Sequence, residues 1–281
     1  MYLVARGHGD PVLFLHGIPT SCALWNGVIA ILSGHFQCIA VDLPGLGRSA
    51  NTPHDFRDLD ALAASIEDIR IEHRIEKWHI VGHDGGCAIA VHYAHRFRHR
   101  VGRLALLSPS MFPELKPFYL FEVLRKPAIG ELMAPVINLL FWNVAMRLAL
   151  AGSRDRSDMI KRFRAPFRGL RGSWRLMSLL RWGHPAEVLA AIPSLLPGIS
   201  APTLVFHGSQ DPAAVSYTHL DVYKRQLLTD RGISAGKAAL VDYLDAQRDY
   251  RATYVAYLNL VGAYLTAAGQ LNLAVGSEVI Q

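Results

Sequence analysis

The chain has 281 residues, 51% of them hydrophobic and 19% charged, with 29 Lys+Arg against 23 Asp+Glu for a formal net charge of +6. That is enough apolar material to bury a sizeable core and too much for a disordered chain. Three Cys without close spacing exclude a disulfide framework and a Cys zinc site and point to a reducing, cytoplasmic setting; Cys22, Cys38 and Cys87 read as small buried apolar side chains.

The opening Met1-Tyr-Leu-Val-Ala-Arg6-Gly7 shows no basic region leading into a long apolar stretch and a cleavage site, so no export signal is visible. Four short apolar runs follow: Pro11 to Leu15, Cys38 to Asp42, Trp78 to Val81 and Leu104 to Leu107. Each is too short for a helix and closes on turn residues, so each reads as a buried strand. Helical patterns occupy Trp25 to Leu32, Leu59 to Ile75 and Cys87 to Phe97. Alternation of this kind over residues 1–110 implies an α/β fold, a mostly parallel sheet with helices on both faces.

From Met111 to about Leu196 helical patterns take over. Leu132 to Leu150 is the most membrane-like run, but Pro135, Asn138, Asn143 and Arg147 interrupt it, and it reads as a buried or amphipathic helix. Ten Lys+Arg and two Asp+Glu fall between Arg147 and Arg181, a basic stretch that reads as a solvated helical face or as a surface for an anionic substrate. Pro202 to Phe206 returns to strand character and ends at His207-Gly-Ser-Gln-Asp211-Pro212. Helices inserted between two strands of one sheet are how a lid is built (residues 111–196), with the core resuming over 197–214.

The most informative segment is Gly82-His83-Asp84-Gly85-Gly86-Cys87, directly after a strand and before a helix. A sharp strand-to-helix turn strains its central residue and requires small neighbours two before and two after, which is the nucleophile-elbow pattern with Asp where Ser usually stands. A helix N-cap is the competing reading of Asp84 alone. His16-Gly17-Ile18-Pro19 ends an earlier strand, so the N–H groups of Ile18 and Gly85 are the two donors expected to face a developing oxyanion. A third marker is Asp42-Leu-Pro-Gly45-Leu-Gly47-Arg48-Ser49. Its glycines imitate a dinucleotide fingerprint, but Asn51-Thr-Pro53 follows where that fingerprint must open a helix; no cofactor and no metal are expected.

Together these motifs resemble the α/β-hydrolase family, in the epoxide hydrolase and haloalkane dehalogenase branch that uses an Asp nucleophile, over residues 1–213. The resemblance implies a small-molecule substrate attacked by Asp84, an alkyl-ester intermediate, Asp211 as the acid that orients a base, and no partnership with nucleic acid or, for the hydrolase part, with a membrane. Oligomeric state is left open. Family dehalogenases usually place a Trp after the nucleophile and many an Asn after the His-Gly, where this chain has Gly85 and Ile18. Epoxide hydrolases usually supply two lid Tyr hydroxyls, where this lid has Tyr119 alone. Tyr119, Trp142 and Trp174 are the lid aromatics expected to touch substrate.

The family's catalytic His, two to three dozen residues after the acid, is missing: only His219 follows His207. Residues 213–281 also hold no Pro, where about four are expected, and seven of the ten Tyr lie from Val215 onward. Val215 to Gln226 can be written in codons forming a perfect inverted repeat with the end of the Ala214 codon, and resembles a translated sequencing-adapter end joined head to head. Residues 215–226 are therefore read as a junction scar. Beyond it, Tyr243, Tyr250, Tyr257 and Tyr264 repeat every seven residues, as in a long helix with coiled-coil packing. Residues 227–281 resemble the C-terminal end of TolC-like outer-membrane efflux proteins. The expectation is a hydrolase truncated before its last strand and joined to a foreign helix, catalytically incomplete or limited to one turnover; the alternative is a non-catalytic chimera or interaction protein on a dead scaffold.

Overall fold

A computed structural model describes residues 1–51, 58–111, 123–150, 153, 155–182 and 186–206, with backbone alone at 180–182 and 186–188. Contacts divide the chain into Met1–Val215 and Ser216–Gln281, and every described residue belongs to the first unit. Tyr119, Asp211, the junction and the tail lie outside the described residues.

The sheet contains β1 (Leu3–Arg6), β2 (Asp10–Leu15), β3 (Phe36–Val41), β4 (Trp78–His83), β5 (Val101–Leu107) and β6 (Thr203–Phe206), in the order β1-β3-β2-β4-β5-β6. β1 runs antiparallel to β3 and all other pairs are parallel. The expected strands are present within a few residues. Their alternation sorts the core: Leu13 and Leu15 of β2 join Ile39 and Val41 on one face, while Val12 and Phe14 join Cys38, Ala40, Trp25 and Ile29 on the other. Both faces of β2 are covered, as a central parallel strand requires.

Helices α1 (Asn26–Leu32), α2 (Leu59–Glu72) and α3 (Gly86–Arg96) connect the strands. α2 starts where Asp58 accepts the Ala61 N–H at 2.8 Å. The pattern predicts this helix to Ile75, but it stops at Glu72. Arg74 takes φ 55°, its N–H reaches the Ile71 carbonyl, and the Ile75 N–H reaches the Arg70 carbonyl at 3.0 Å. That is a Schellman closure with a non-glycine residue in the left-handed position, which hydropathy does not reveal. α3 is held to α2 by Glu67, which accepts from Arg70 at 2.6 and 2.9 Å and from the Tyr93 hydroxyl at 2.6 Å.

Between β5 and β6 lie α4 (Ile129–Leu140), which runs on through a π turn (Phe141–Ala145) and Met146–Ala149, then α5 (Arg156–Arg164), α6 (Gly169–Trp182) and α7 (Ala186–Leu195). The stretch Ile129–Ala149 is the one described helix long and apolar enough, by length and composition, to cross a membrane. It passes through Pro135 unbroken. Its inner face buries Ala134, Ile137, Asn138, Phe141, Trp142 and Met146. Asn138, a polar interruption in the sequence, is buried and donates to the Phe167 carbonyl at 2.8 Å and to Ser173 Oγ at 2.9 Å.

At the other end of the sheet the packing thins. Leu204, Val205 and Phe206 of β6 are 48%, 38% and 52% exposed. A groove of about 360 Å³ runs beside them, lined by Val12, Phe36, Val81, Ala105 and Leu204 among others.

Candidate active site

The sheet order reverses between β2 and β4: the chain leaves β2 toward β3 on one side and returns to β4 on the other. In open α/β sheets such a reversal leaves a crevice beyond the carboxyl ends of the strands, where ligands bind. β2 runs into Gly17-Ile18 at that point, and β4 into Asp84.

Asp84 has φ 52°, in the left-handed region that a residue with a Cβ rarely occupies. The turn is fixed from outside: the Asp84 N–H donates to the Leu107 carbonyl at 3.1 Å, and the Asp84 carbonyl accepts from Cys87 N–H at 3.0 Å. The requirement for small neighbours holds on both sides. A Cβ at Gly82 would lie 3.0 Å from Cys87 Cα, and one at Gly86 would lie 2.6 Å from the Leu15 carbonyl oxygen. Gly17 is also constrained, because a Cβ there would overlap the Asp84 carboxylate.

The half-buried Asp84 carboxylate meets the Ile18 N–H, which donates to Oδ2 at 2.9 Å. Gly85 opens α3, so its N–H belongs to the first-turn groups that the helix leaves without an internal partner. The structure thus brings Asp84, Ile18 and Gly85 together. Beside them Cys87 stays a thiol: burial pushes its pKa up and the Asp84 carboxylate adds to the effect.

Two residues support this geometry in ways the motifs did not specify. His16 is fully buried; its Nε2 accepts the Leu43 N–H at 3.0 Å, so Nδ1 carries the proton and donates to the Gly17 carbonyl at 2.8 Å. Burial lowers its pKa from 6.5 to about 4 and keeps it neutral. Asp42, also buried, accepts from Cys22 N–H and from Arg48 N–H, each at 2.7 Å. Its carboxylate fills the space beside Gly47, at φ +50°. The Gly-rich segment after β3 is therefore a latch folded over Asp42.

Among the described residues, His16 and His83 are the imidazoles near Asp84, and the Nδ1 of His83 is buried without a hydrogen-bond partner. Both ring nitrogens of His16 bond to backbone. The ring of His83 lies edge-on to Trp25 at 6.3 Å, among the side chains of the sheet's other face. Of the aromatics expected to touch substrate, Trp142 is fully buried and stacked on Phe167 with centroids 5.6 Å apart, while Trp174 is half exposed.

A strand-helix elbow with an acid at its tip, facing a backbone donor from the loop after β2, is the arrangement found in the α/β hydrolase fold. The chain matches the α/β hydrolase fold family over residues 10–246 and belongs to it. That match runs past residue 213, where the expected resemblance ends. The chain is 32% identical over 204 residues to a haloalkane dehalogenase of Mesorhizobium japonicum, covering 67% of this chain and 64% of that protein. It is 36% identical over 115 residues to a soluble epoxide hydrolase of a Corynebacterium species, covering 41% of this chain and 39% of that protein. It therefore spans less than two thirds of both relatives. Among solved structures, haloalkane dehalogenase DbeA from Bradyrhizobium elkani superposes with a TM-score of 0.66 at 26% identity, over 79% of this chain and 81% of that one.

Proposed function

We propose that Asp84 is the nucleophile of a hydrolase acting at a saturated carbon, on an epoxide or a haloalkane, and that this chain stops at the ester. The observation that carries the reading is the 2.9 Å bond from Ile18 N–H to Asp84 Oδ2 at a left-handed elbow. One carboxylate oxygen is held and the other, Oδ1, is left to attack. Oδ1 forms a bond to the substrate carbon, and the electron pair of the broken bond departs with the halide as a free anion or stays on the opened epoxide oxygen, which takes a proton from water. The product is an alkyl ester of Asp84. Hydrolysis adds water at Cγ, places the oxyanion on Oδ2 between the Ile18 and Gly85 N–H groups, and releases the alcohol.

That second step needs a base to remove a proton from water. Asp211 is assigned as the acid that would orient it, and the sequence beyond Asp211 supplies no suitable His. The exposed side chains of β6 and the groove beside them, with no strand beyond β6 among the described residues, support a sheet that lacks its last strand and closing helix. Helices α4 to α7 are assigned as the lid, with Tyr119 and Trp174 as substrate contacts and Trp142 shaping the lid from within. Residues 215–226 are assigned as a junction scar and 227–281 as a foreign, efflux-protein-like helix. The family match to residue 246 favours the rival reading, a hydrolase continuous through the junction. Codons for 215–226 that form no inverted repeat would decide for the rival.

The nucleophile is tested by mass spectrometry of the intact chain after exposure to a panel of epoxides and haloalkanes. One alkyl adduct per chain is expected, mapped to Asp84 and absent from Asp84→Asn. An adduct elsewhere, or none with any substrate in the panel, would overturn the assignment and favour the non-catalytic chimera.

A further inference from the structure

The inner face of the Ile129–Ala149 stretch is packed, but its outer face is apolar as well. Leu132, Val136, Leu139, Val144 and Leu148 are 79%, 50%, 52%, 51% and 71% exposed. They recur at helical spacing and form one stripe along a stretch about 31 Å long. The stripe does not end in neutral surface. Asn143 and Arg147, on the same helix, form part of the wall of a cavity of about 440 Å³ with α5 and the turn after it.

That cavity is strongly basic. Arg147, Arg156, Lys161, Arg164 and Arg168 line it, and no lining residue is acidic. Asp158, the carboxylate on α5, is taken by Arg162 at 2.6 Å. Five cations around one opening repel one another and concentrate a positive potential there, which a multivalent or repeated anion relieves. Arginine forks suit phosphate in particular.

We propose that this face of the lid docks on an anionic phospholipid bilayer, with headgroup phosphates in the basic cavity and the leucine and valine stripe against the acyl boundary. An apolar helix face bordered by Arg and Lys is the pattern of an interfacial helix. Asn143 and Arg147 of the cavity wall alternate with Val144 and Leu148 of the stripe on the same helix, so the two features adjoin. A second copy of the chain fits poorly, because a two-fold contact sets the same five cations against themselves. A nucleic acid matches the cavity but leaves the stripe against water and phosphate. The inference uses none of the residues around Asp84 and does not depend on the hydrolase reading.

The test is flotation of the full chain with phosphatidylcholine vesicles, with and without about 30% phosphatidylglycerol, at low and high salt. Binding is expected to rise by about tenfold or more with the anionic lipid and to fall with salt. Arg156→Glu with Arg164→Glu is expected to abolish it, and so is Leu139→Asp with Val144→Asp; Arg156, Leu139 and Val144 are exposed and Arg164 half-buried, and circular dichroism checks the fold. No flotation, or equal flotation with both vesicle types, overturns the proposal. Flotation that survives charge reversal assigns lipid binding to another part of the chain and also overturns it. Loss on charge reversal with no effect of the Asp pair leaves a phosphate site only, and no bilayer docking.

Discussion

The crevice between β2 and β4 and the edge at β6 belong to one sheet, yet they are finished to different degrees. In the crevice, His16 satisfies both ring nitrogens, Asp42 accepts two backbone N–H groups, and Gly17, Gly82 and Gly86 sit where a methyl group would collide. At β6, three consecutive apolar side chains remain a third to a half exposed beside an apolar groove. The described contacts of the crevice all come from residues up to Ser110, within a short span of chain.

The contrast can be broken at its tightest point. Gly86→Ala drives a methyl group toward the carbonyl oxygens of Leu15 and His16, and backbone there has no room to yield. A loss of about 3 kcal/mol or more is expected in urea denaturation, at the top of the range for overpacking. An unchanged midpoint would mean that α3 does not sit against β2 as described.

Acid tests the next contact. His16 is neutral in the fold, with its pKa lowered from 6.5 to about 4. The unfolded chain therefore binds the extra proton first as pH falls. The neutral ring's contribution is intact above about pH 6.5 and is lost between there and about pH 4, on the order of 3 kcal/mol. Denaturation at pH 7 and pH 4.5, beside His16→Gln, reads this out. A pH slope identical in the variant would remove His16 from the account.

Much of this was legible in the sequence, because the elbow is a local device. Three glycines around Asp84, a strand before and a helix after specify the turn within a handful of residues. The bond from Cys22 to Asp42 and the role of His16 were not legible, since these partners lie 20 and 27 residues apart along the chain. The same limit applies in the helices between β5 and β6. Pro135, Asn138, Asn143 and Arg147 look alike as interruptions of an apolar run. In the fold, Asn138 is an interior bridge, whereas Asn143 and Arg147 line a basic cavity. Composition also could not show that the helix is apolar on both faces, because hydropathy records how apolar a helix is and not which side is covered.

Asp84 is proposed to react in a chain that lacks the base to finish. Counting product against chain is the most direct measurement: halide or diol released per mole of protein, followed well past the time needed to label Asp84. The account predicts at most one halide per chain and no released alcohol, with the ester persisting on Asp84. Sustained turnover over many equivalents would contradict it.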